Sequence, residues 1–199
     1  MRSPRLPLLA AVAFLAPSVL GAQGAPVRLA PGACDWGHQP GVSWGRRVLA
    51  VSSERDGAAN RATGRPDVWP QLGTGDAVAP LTWAPGRGEV WPEWIALSLQ
   101  RPIAAQEIWL FVTGGAGAEM RVAVFDPDGS MIPVARVEVV EWPAPVAQIV
   151  VPLDTAILVS GIRVEVEPSS VDESFFLDAV AAVPRRVCAP APSAPHGTR

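Results

Sequence analysis

The sequence predicts an all-β domain, an antiparallel β-sandwich of the jelly-roll type. Short apolar stretches alternate apolar and polar residues with a period of two, which is typical of half-buried strands. Turn-forming residues separate these stretches every eight to twelve residues or so, and no window keeps a helical period beyond about two turns. The chain also contains 22 prolines and 18 glycines in 199 residues, which favours short strands and turns over long helices.

The N-terminus predicts export. Arg2 and Arg5 precede an apolar stretch, residues 6–16, and small residues follow near Ala22. This pattern is typical of a signal peptide covering residues 1–22. The apolar stretch is too short for the roughly 20 residues of a membrane-spanning helix. We therefore expect a periplasmic, cell-surface or secreted protein with no transmembrane segment once the signal has been removed.

The exported chain divides into three parts. Residues 23–45 form a Pro/Gly-rich lead-in, residues 46–184 form the β domain, and residues 185–199 form a low-complexity tail. The eight predicted strands of the domain are Arg47–Ser52, Trp94–Leu99, Glu107–Thr113, Glu119–Phe125, Ile132–Val140, Val146–Leu153, Ile157–Val166 and Phe175–Val183.

Two connections and one long loop join these strands. Gly114–Gly117 and Asp126–Gly129 have the composition of hairpin turns. Residues 54–93, between the first two predicted strands, are rich in Gly, Pro and Trp. Long ordered loops in compact domains are usually functional surfaces, so this loop is the predicted location of a site.

Composition excludes two classes of function. All sixteen basic residues are arginine, and nineteen acidic residues give a net charge of −3, so the chain lacks the basic surface of a nucleic-acid-binding protein. The two histidines, His38 and His196, lie in the lead-in and the tail. No nucleophile elbow, zinc motif or phosphate-binding loop is present, so we expect a protein without catalytic activity.

The two cysteines, Cys34 and Cys188, bracket the β domain with 153 residues between them. In an oxidising compartment, one pair in this arrangement favours a disulfide that links the two ends of the domain. Two free thiols are the alternative. Metal ligation is disfavoured because neither cysteine belongs to a C-x-x-C motif.

The order of several short motifs resembles that of galactose-binding-like domains, the discoidin-like sandwiches found in coagulation factors and in bacterial carbohydrate-binding modules. These motifs, in chain order, are V-S-S-E (51–54), A-T-G-R-P-D (62–67), T-W-A-P (82–85), E-W-I-A-L (93–97), I-W-L (108–110), V-F-D-P-D-G (124–129) and F-L-D-A-V (176–180). They extend over residues 47–183. The bacterial extracellular branch is the one that the sequence resembles most.

The resemblance implies a binding module, commonly for glycans and sometimes for lipid head groups or proteins. It also implies a terminal disulfide, in agreement with Cys34 and Cys188, and a structural Ca²⁺. The matching calcium ligands are Asp67 or Asp76 from the loop, backbone carbonyls of residues 60–64, and Asp178. We take Asp67 and Asp178 as the predicted metal ligands.

Tryptophans are the predicted ligand-binding side chains, since indole rings stack on the C–H faces of sugars. The resemblance assigns Trp83 and Trp94 to the core. Trp69 and Trp91 each precede a proline in the long loop, where the chain is held extended. With Arg87 they are the predicted ligand-binding residues.

Trp109, on a strand face opposite its neighbours, is a further candidate ligand-binding residue.

The sequence departs from the domains it resembles at Val112, where a polar residue is usual, and at A-L-S-L-Q (96–100). Both departures weaken the transfer of the family's sugar site to this chain. Val112, together with the apolar Trp-rich surface, favours the alternative function, a structural or protein-interaction module without a sugar site. The main prediction is a secreted, non-catalytic module that binds a glycan or cell-envelope component.

Overall fold

A computed structural model of the chain describes residues 39–67, 82–86, 92–113, 119–138, 146–167 and 175–184, together with residues 28–29. Seven strands account for most of these residues. They are β1 (Arg28–Leu29), β2 (Ser43–Val51), β3 (Glu93–Thr113), β4 (Glu119–Phe125), β5 (Met131–Glu138), β6 (Val146–Glu167) and β7 (Phe176–Val183). A short 3₁₀ turn, Ala59–Ala62, follows β2.

All strand pairs are antiparallel, and they form one curled sheet that folds over itself into two layers. The front layer has the order β2-β3-β6-β4-β5 and uses residues 93–98 of β3 and 161–167 of β6. The back layer has the order β1-β6-β3-β7-β2 and uses residues 107–113 of β3 and 146–152 of β6. Thus β2, β3 and β6 each pass from one layer to the other. The predicted antiparallel β-sandwich is confirmed.

The eight predicted strands correspond to fewer and longer ones. Trp94–Leu99 and Glu107–Thr113 are two parts of β3, and Val146–Leu153 and Ile157–Val166 are two parts of β6. Register shifts between Ser98 and Ile103, and between Ala105 and Glu107, bend β3 without ending its pairing with β6. Bulges of this kind bend a strand while the ladder continues on both sides.

The predicted turn at Asp126–Gly129 is present. The backbone N–H of Gly129 donates to the carbonyl of Asp126 at 3.0 Å, and the N–H of Ser130 donates to Oδ1 of Asp126 at 2.8 Å. Gly129 has a φ of 85°, which glycine adopts at little steric cost. The other predicted turn, Gly114–Gly117, lies outside the described residues.

The main hydrophobic core lies between the two layers. Alternate residues of each strand point into it, among them Ile95 and Leu97 from the front layer and Ile108 and Leu110 from the back layer. Val112 belongs to the same core and is fully buried. Val112 is therefore a packing residue and does not lie on an exposed surface.

A second buried cluster covers the opposite face of the back layer. Its members are Trp44, Trp109, Phe111, Val150, Ala179, Ala181 and Val183. Trp44 and Phe111 are in tilted ring contact, with centroids 5.8 Å apart. The back layer is thus buried on both faces.

Candidate functional site

The loop between β2 and β3 is fixed at both ends by a buried carboxylate. Glu93, the first residue of β3, is fully buried, and its Oε2 accepts hydrogen bonds from the hydroxyl groups of Ser52 and Ser53. The Oγ of Ser53 accepts a hydrogen bond from the N–H of Gly86 at 2.8 Å. Glu93, Ser52, Ser53 and Gly86, which we call the loop anchor, therefore connect the start, an internal point and the end of the loop.

One oxygen of the loop anchor remains open. Oε1 of Glu93 has no hydrogen-bond partner among the residues that the structure describes, although its atom is buried. Leaving a buried polar atom unsatisfied costs free energy. The hydrogen bonds that Oε2 accepts offset this cost and hold the carboxylate in place.

Trp83 ties the middle of the loop to β7. Its backbone exchanges two hydrogen bonds with Leu177, at 2.9 and 2.8 Å, and its indole N–H donates to the carbonyl of Ser53 at 3.2 Å. The ring is fully buried and meets Phe175 edge-on, with centroids 6.3 Å apart. The predicted structural role of Trp83 is confirmed.

The outer surface of the front layer, formed by the outward side chains of β3, β4, β5 and β6, carries a network of ion pairs. We call this surface the open face. Arg121 of β4 pairs with Glu119 at 3.3 Å, with Glu165 at 3.2 Å and with Glu167. Arg136 of β5 also pairs with Glu119. The register explains the network, because Arg121 lies opposite Glu165 of β6 on one side and Arg136 of β5 on the other.

The network shifts the titration of one carboxyl group. The hydrogen bond from Arg136 lowers the pKa of Glu119, and the positive charges of Arg136 and Arg121 lower it further. Burial raises the pKa and is the second-largest of these effects, but the hydrogen bond from Arg136 and the positive charges together outweigh it. Hydrogen bonds and opposite charges favour the ionised carboxylate, so Glu119 remains an acceptor across the open face.

Trp94 lies on the open face and is not in the core. The guanidinium of Arg163 lies over its ring, 4.1 Å from the centroid, and also pairs with Glu165 at 3.0 Å. Such cation–π contacts contribute about 0.5–1 kcal/mol at exposed sites. Trp94 is half-buried, and the prediction that it is a core residue is wrong. The strand alternation explains this, because Ile95 and Leu97 occupy the inward positions of β3.

A cavity of about 290 Å³ opens on the open face between β4, β5 and β6. Most of its lining surface is apolar, and charged side chains contribute the rest. The lining includes Arg121, Ala123, Met131, Pro133, Arg136, Arg163 and Glu165.

Trp69, Arg87 and Trp91 lie outside the described residues, as do Cys34 and Cys188 and the predicted signal peptide. Trp91 comes two residues before Glu93 of the loop anchor. Among the described residues, no helix is long and apolar enough to cross a membrane.

Trp109 is described, and its assignment to a ligand site needs correction. Its ring is fully buried in the second cluster, and its indole N–H donates to Oε2 of Glu107 at 3.1 Å. The alternation argument placed Trp109 correctly on the outer face of its strand. That face is itself buried, so no surface of the ring is free to stack on a sugar.

The predicted metal ligands lie in different environments. Asp67 is exposed, whereas Asp178 of β7 is almost completely buried. The described part of the chain contains no group of three or more His, Cys, Asp and Glu side chains placed to hold a metal ion. Ca²⁺ takes six to eight oxygen ligands, so a calcium site here depends on backbone carbonyls. The carbonyl of Asn60 in that segment already accepts two hydrogen bonds from Thr63.

The open face was not predicted from the sequence, although a signal for it exists. Arg163, Glu165 and Glu167 alternate along β6 with the buried residues Val164 and Val166. This alternation indicates a polar outer surface. Only the pairing of β6 with β4 places Arg121 beside these glutamates, and that pairing is not visible in the sequence.

The fold is that of galactose-binding-like β-sandwiches. The chain is similar to the family 32 carbohydrate-binding module of Clostridium perfringens NanJ, solved in complex with galactose. The TM-score is 0.52 at 10% identity, over 70% of this chain and 98% of that one. It is also similar to reduced XRCC1 bound to the DNA polymerase β catalytic domain, with a TM-score of 0.51 at 12% identity, over 71% of this chain and 97% of that one.

These similarities define the class of domain and not the individual protein. At such identities they establish a shared fold. No protein-family model and no curated protein matches the chain. The similarities to solved structures confirm the resemblance to galactose-binding-like domains at the level of the fold.

Proposed function

We propose that the chain is an exported, non-catalytic module that binds a glycan or cell-envelope component through Trp69, Arg87 and Trp91. The observation that carries the proposal is the fold, which the described domain shares with almost the whole length of a module solved with galactose. A fold alone does not define a function, so the proposal also depends on the chemistry of the loop residues.

The loop anchor supports a preformed site. It fixes residues 52–53, Gly86 and Glu93, and so restrains the chain on both sides of Arg87 and Trp91. A loop restrained before binding loses less conformational entropy when a ligand stacks on it. The indole rings would supply stacking surfaces, and the guanidinium a fork of donors for hydroxyl or carboxylate groups.

A second function, a protein-interaction module, is favoured by the similarity to XRCC1, which was solved bound to another protein. The two functions predict different partners. A glycan-binding module binds free sugars weakly, whereas an interaction module co-purifies with a defined protein.

The decisive experiment is a glycan-array screen of the wild-type protein, followed by calorimetry with galactose and with the glycans that bind. We expect dissociation constants of roughly 10⁻³ to 10⁻⁵ M, or about 4–7 kcal/mol, because a loop platform contacts one or two sugar rings. Trp69→Ala and Trp91→Ala should each abolish binding and leave the melting temperature nearly unchanged.

Trp83→Ala is the matched control, since it removes an indole from the same loop at a buried position. It should lower the free energy of unfolding by about 3–5 kcal/mol. If Trp69→Ala and Trp91→Ala destabilise the protein as strongly as Trp83→Ala, both are core residues and the proposed platform does not exist. If wild-type protein is folded and binds no glycan, the interaction-module function replaces the proposal.

A further inference from the structure

The cavity on the open face is built from residues that the loop site does not use. It lies between β4, β5 and β6, and its lining includes the small side chains of Ala123 and Pro133. Met131, half exposed, adds a flexible apolar side chain to the lining. Short side chains at these positions leave the depression open, since longer ones would fill it.

The size of the cavity limits its occupant. At about 290 Å³ it falls at the lower end of small-molecule pockets, which run from about 300 to 1,000 Å³. A small molecule of one or two sugar-sized rings matches this volume, whereas a folded protein is too large to enter it.

The charged residues that line the cavity are Arg121, Arg136, Arg163 and Glu165, and each of these arginines is ion-paired with a glutamate of the open face. The open face carries three arginines and three glutamates that are ion-paired with each other, namely Arg121, Arg136, Arg163, Glu119, Glu165 and Glu167. An anionic ligand would have to compete with these carboxylates for the guanidinium groups. A hydroxyl group avoids this competition, because it donates to a carboxylate oxygen and accepts from a guanidinium N–H.

From this combination we propose that the cavity is a second sugar-binding subsite, which takes one or two rings of a neutral glycan. The C–H faces of the rings lie on the apolar part of the lining, and their hydroxyl groups bond to the ion-paired arginines and to Glu165. The inference shares its ligand class with the proposed function, but it does not depend on Trp69, Arg87 or Trp91.

Methionine methyl groups provide a direct test. The chain has three methionines, of which Met131 lines the cavity and Met120 is fully buried in the core. The exported protein, labelled with ¹³C at the methionine methyl groups, is titrated with lactose, cellobiose and maltose, and separately with glucuronate. We expect the Met131 signal to shift with at least one neutral disaccharide at about 20 mM, given millimolar affinity, while the Met120 signal stays fixed.

Ala123→Leu fills part of the cavity and should weaken this binding at least tenfold. Ala50→Leu is the matched control, since Ala50 is an exposed alanine of β2 that does not line the cavity. Arg136→Ala removes donors from the lining and should weaken binding severalfold. An unchanged Met120 signal and melting temperature establish that each variant is folded.

The outcomes separate this site from the loop site. A Met131 shift that persists in Trp69→Ala and Trp91→Ala supports the second subsite even if the loop binds nothing. A Met131 signal that no neutral disaccharide moves, or that only glucuronate moves, overturns the proposal. So does binding that Ala123→Leu leaves unchanged.

Discussion

At the scale of single residues, the same amino-acid type has different roles in the two parts of one strand. Trp94 and Trp109 both occupy outward positions of β3. The ring of Trp94 lies on the open face beneath the guanidinium of Arg163. Trp109 is buried on the outer side of the back layer and is hydrogen-bonded to Glu107. The alternation of a strand gives the side on which a residue lies. What covers that side is decided by the rest of the fold.

The ion pair between Arg136 and Glu119 gives a prediction about pH. Since the pKa of Glu119 is lowered from 4.5, its charged form stabilises the folded state above that value, and this stabilisation is lost as the pH falls through the lowered pKa. Arg136→Ala should raise the pKa of Glu119 towards 4.5, because it removes the largest cause of the shift. Carboxyl ¹³C chemical shifts followed from about pH 2 to 7 would measure the change, a range that brackets the ordinary Glu pKa.

Arg47→Ala is the control for this titration, since it removes the same charge from an exposed position of β2. It should leave the pKa of Glu119 unchanged. An equal response in both variants would mean that net charge, and not the ion pair, sets the titration. The effect on overall stability should be small, because pairs at exposed positions contribute little.

At the scale of elements, the sequence predicts most strand segments but not their continuity. The stretches 94–99 and 107–113 each have a period of two, and the polar residues between them, such as Gln100 and Arg101, have the composition of a loop. In the structure Arg101 is fixed by Ser43, whose hydroxyl donates to its carbonyl at 2.7 Å and accepts from its N–H at 3.1 Å. This contact joins residues 58 positions apart, so local sequence does not reveal it.

The candidate site was predictable only in part, because its contacts also join residues that are far apart in the sequence. Glu93 was identifiable as the residue that ends the long loop, but its bonds to Ser52 and Ser53 depend on β2 lying beside β3. The open face depends on β6 pairing with both β3 and β4. Long-range pairing of this kind leaves no periodic trace in either strand alone.

The contact between the long loop and β7 bears on the calcium prediction, which rests on the resemblance to galactose-binding-like domains. Trp83 pairs with Leu177, the residue before Asp178, so the loop and the predicted metal ligand meet at the start of β7. If Asp67, Asp178 and the carbonyls of residues 60–64 bind Ca²⁺, excess chelator should lower the melting temperature, and added Ca²⁺ should restore it.

The variants Asp178→Asn and Asp67→Asn test which carboxylates take part in this effect. A variant that has lost a ligand should show a smaller chelator effect than wild type. A melting temperature that chelator does not change in the wild-type protein would remove calcium from the description of this domain.

At the scale of the whole molecule, the two ends of the described domain lie together. Ser43 of β2 pairs with Ala182 of β7, and a Cβ at Gly41 would lie 3.2 Å from Cγ of Pro184. From these positions the chain continues towards Cys34 in one direction and Cys188 in the other. The proximity of the ends supports the predicted disulfide.

A disulfide between Cys34 and Cys188 would close a loop that contains nearly the whole domain. The chain-entropy model gives about 5 kcal/mol for a loop of this length, less any strain in the folded state. We therefore expect reduction to lower the melting temperature, and Cys34→Ser and Cys188→Ser to lower it by the same amount. The double variant should cost no more than either single variant, since both remove one shared bond. Thiol titration of the unreduced, unfolded protein is the direct measurement, and two titratable thiols there would refute the pairing whatever the stability of the variants.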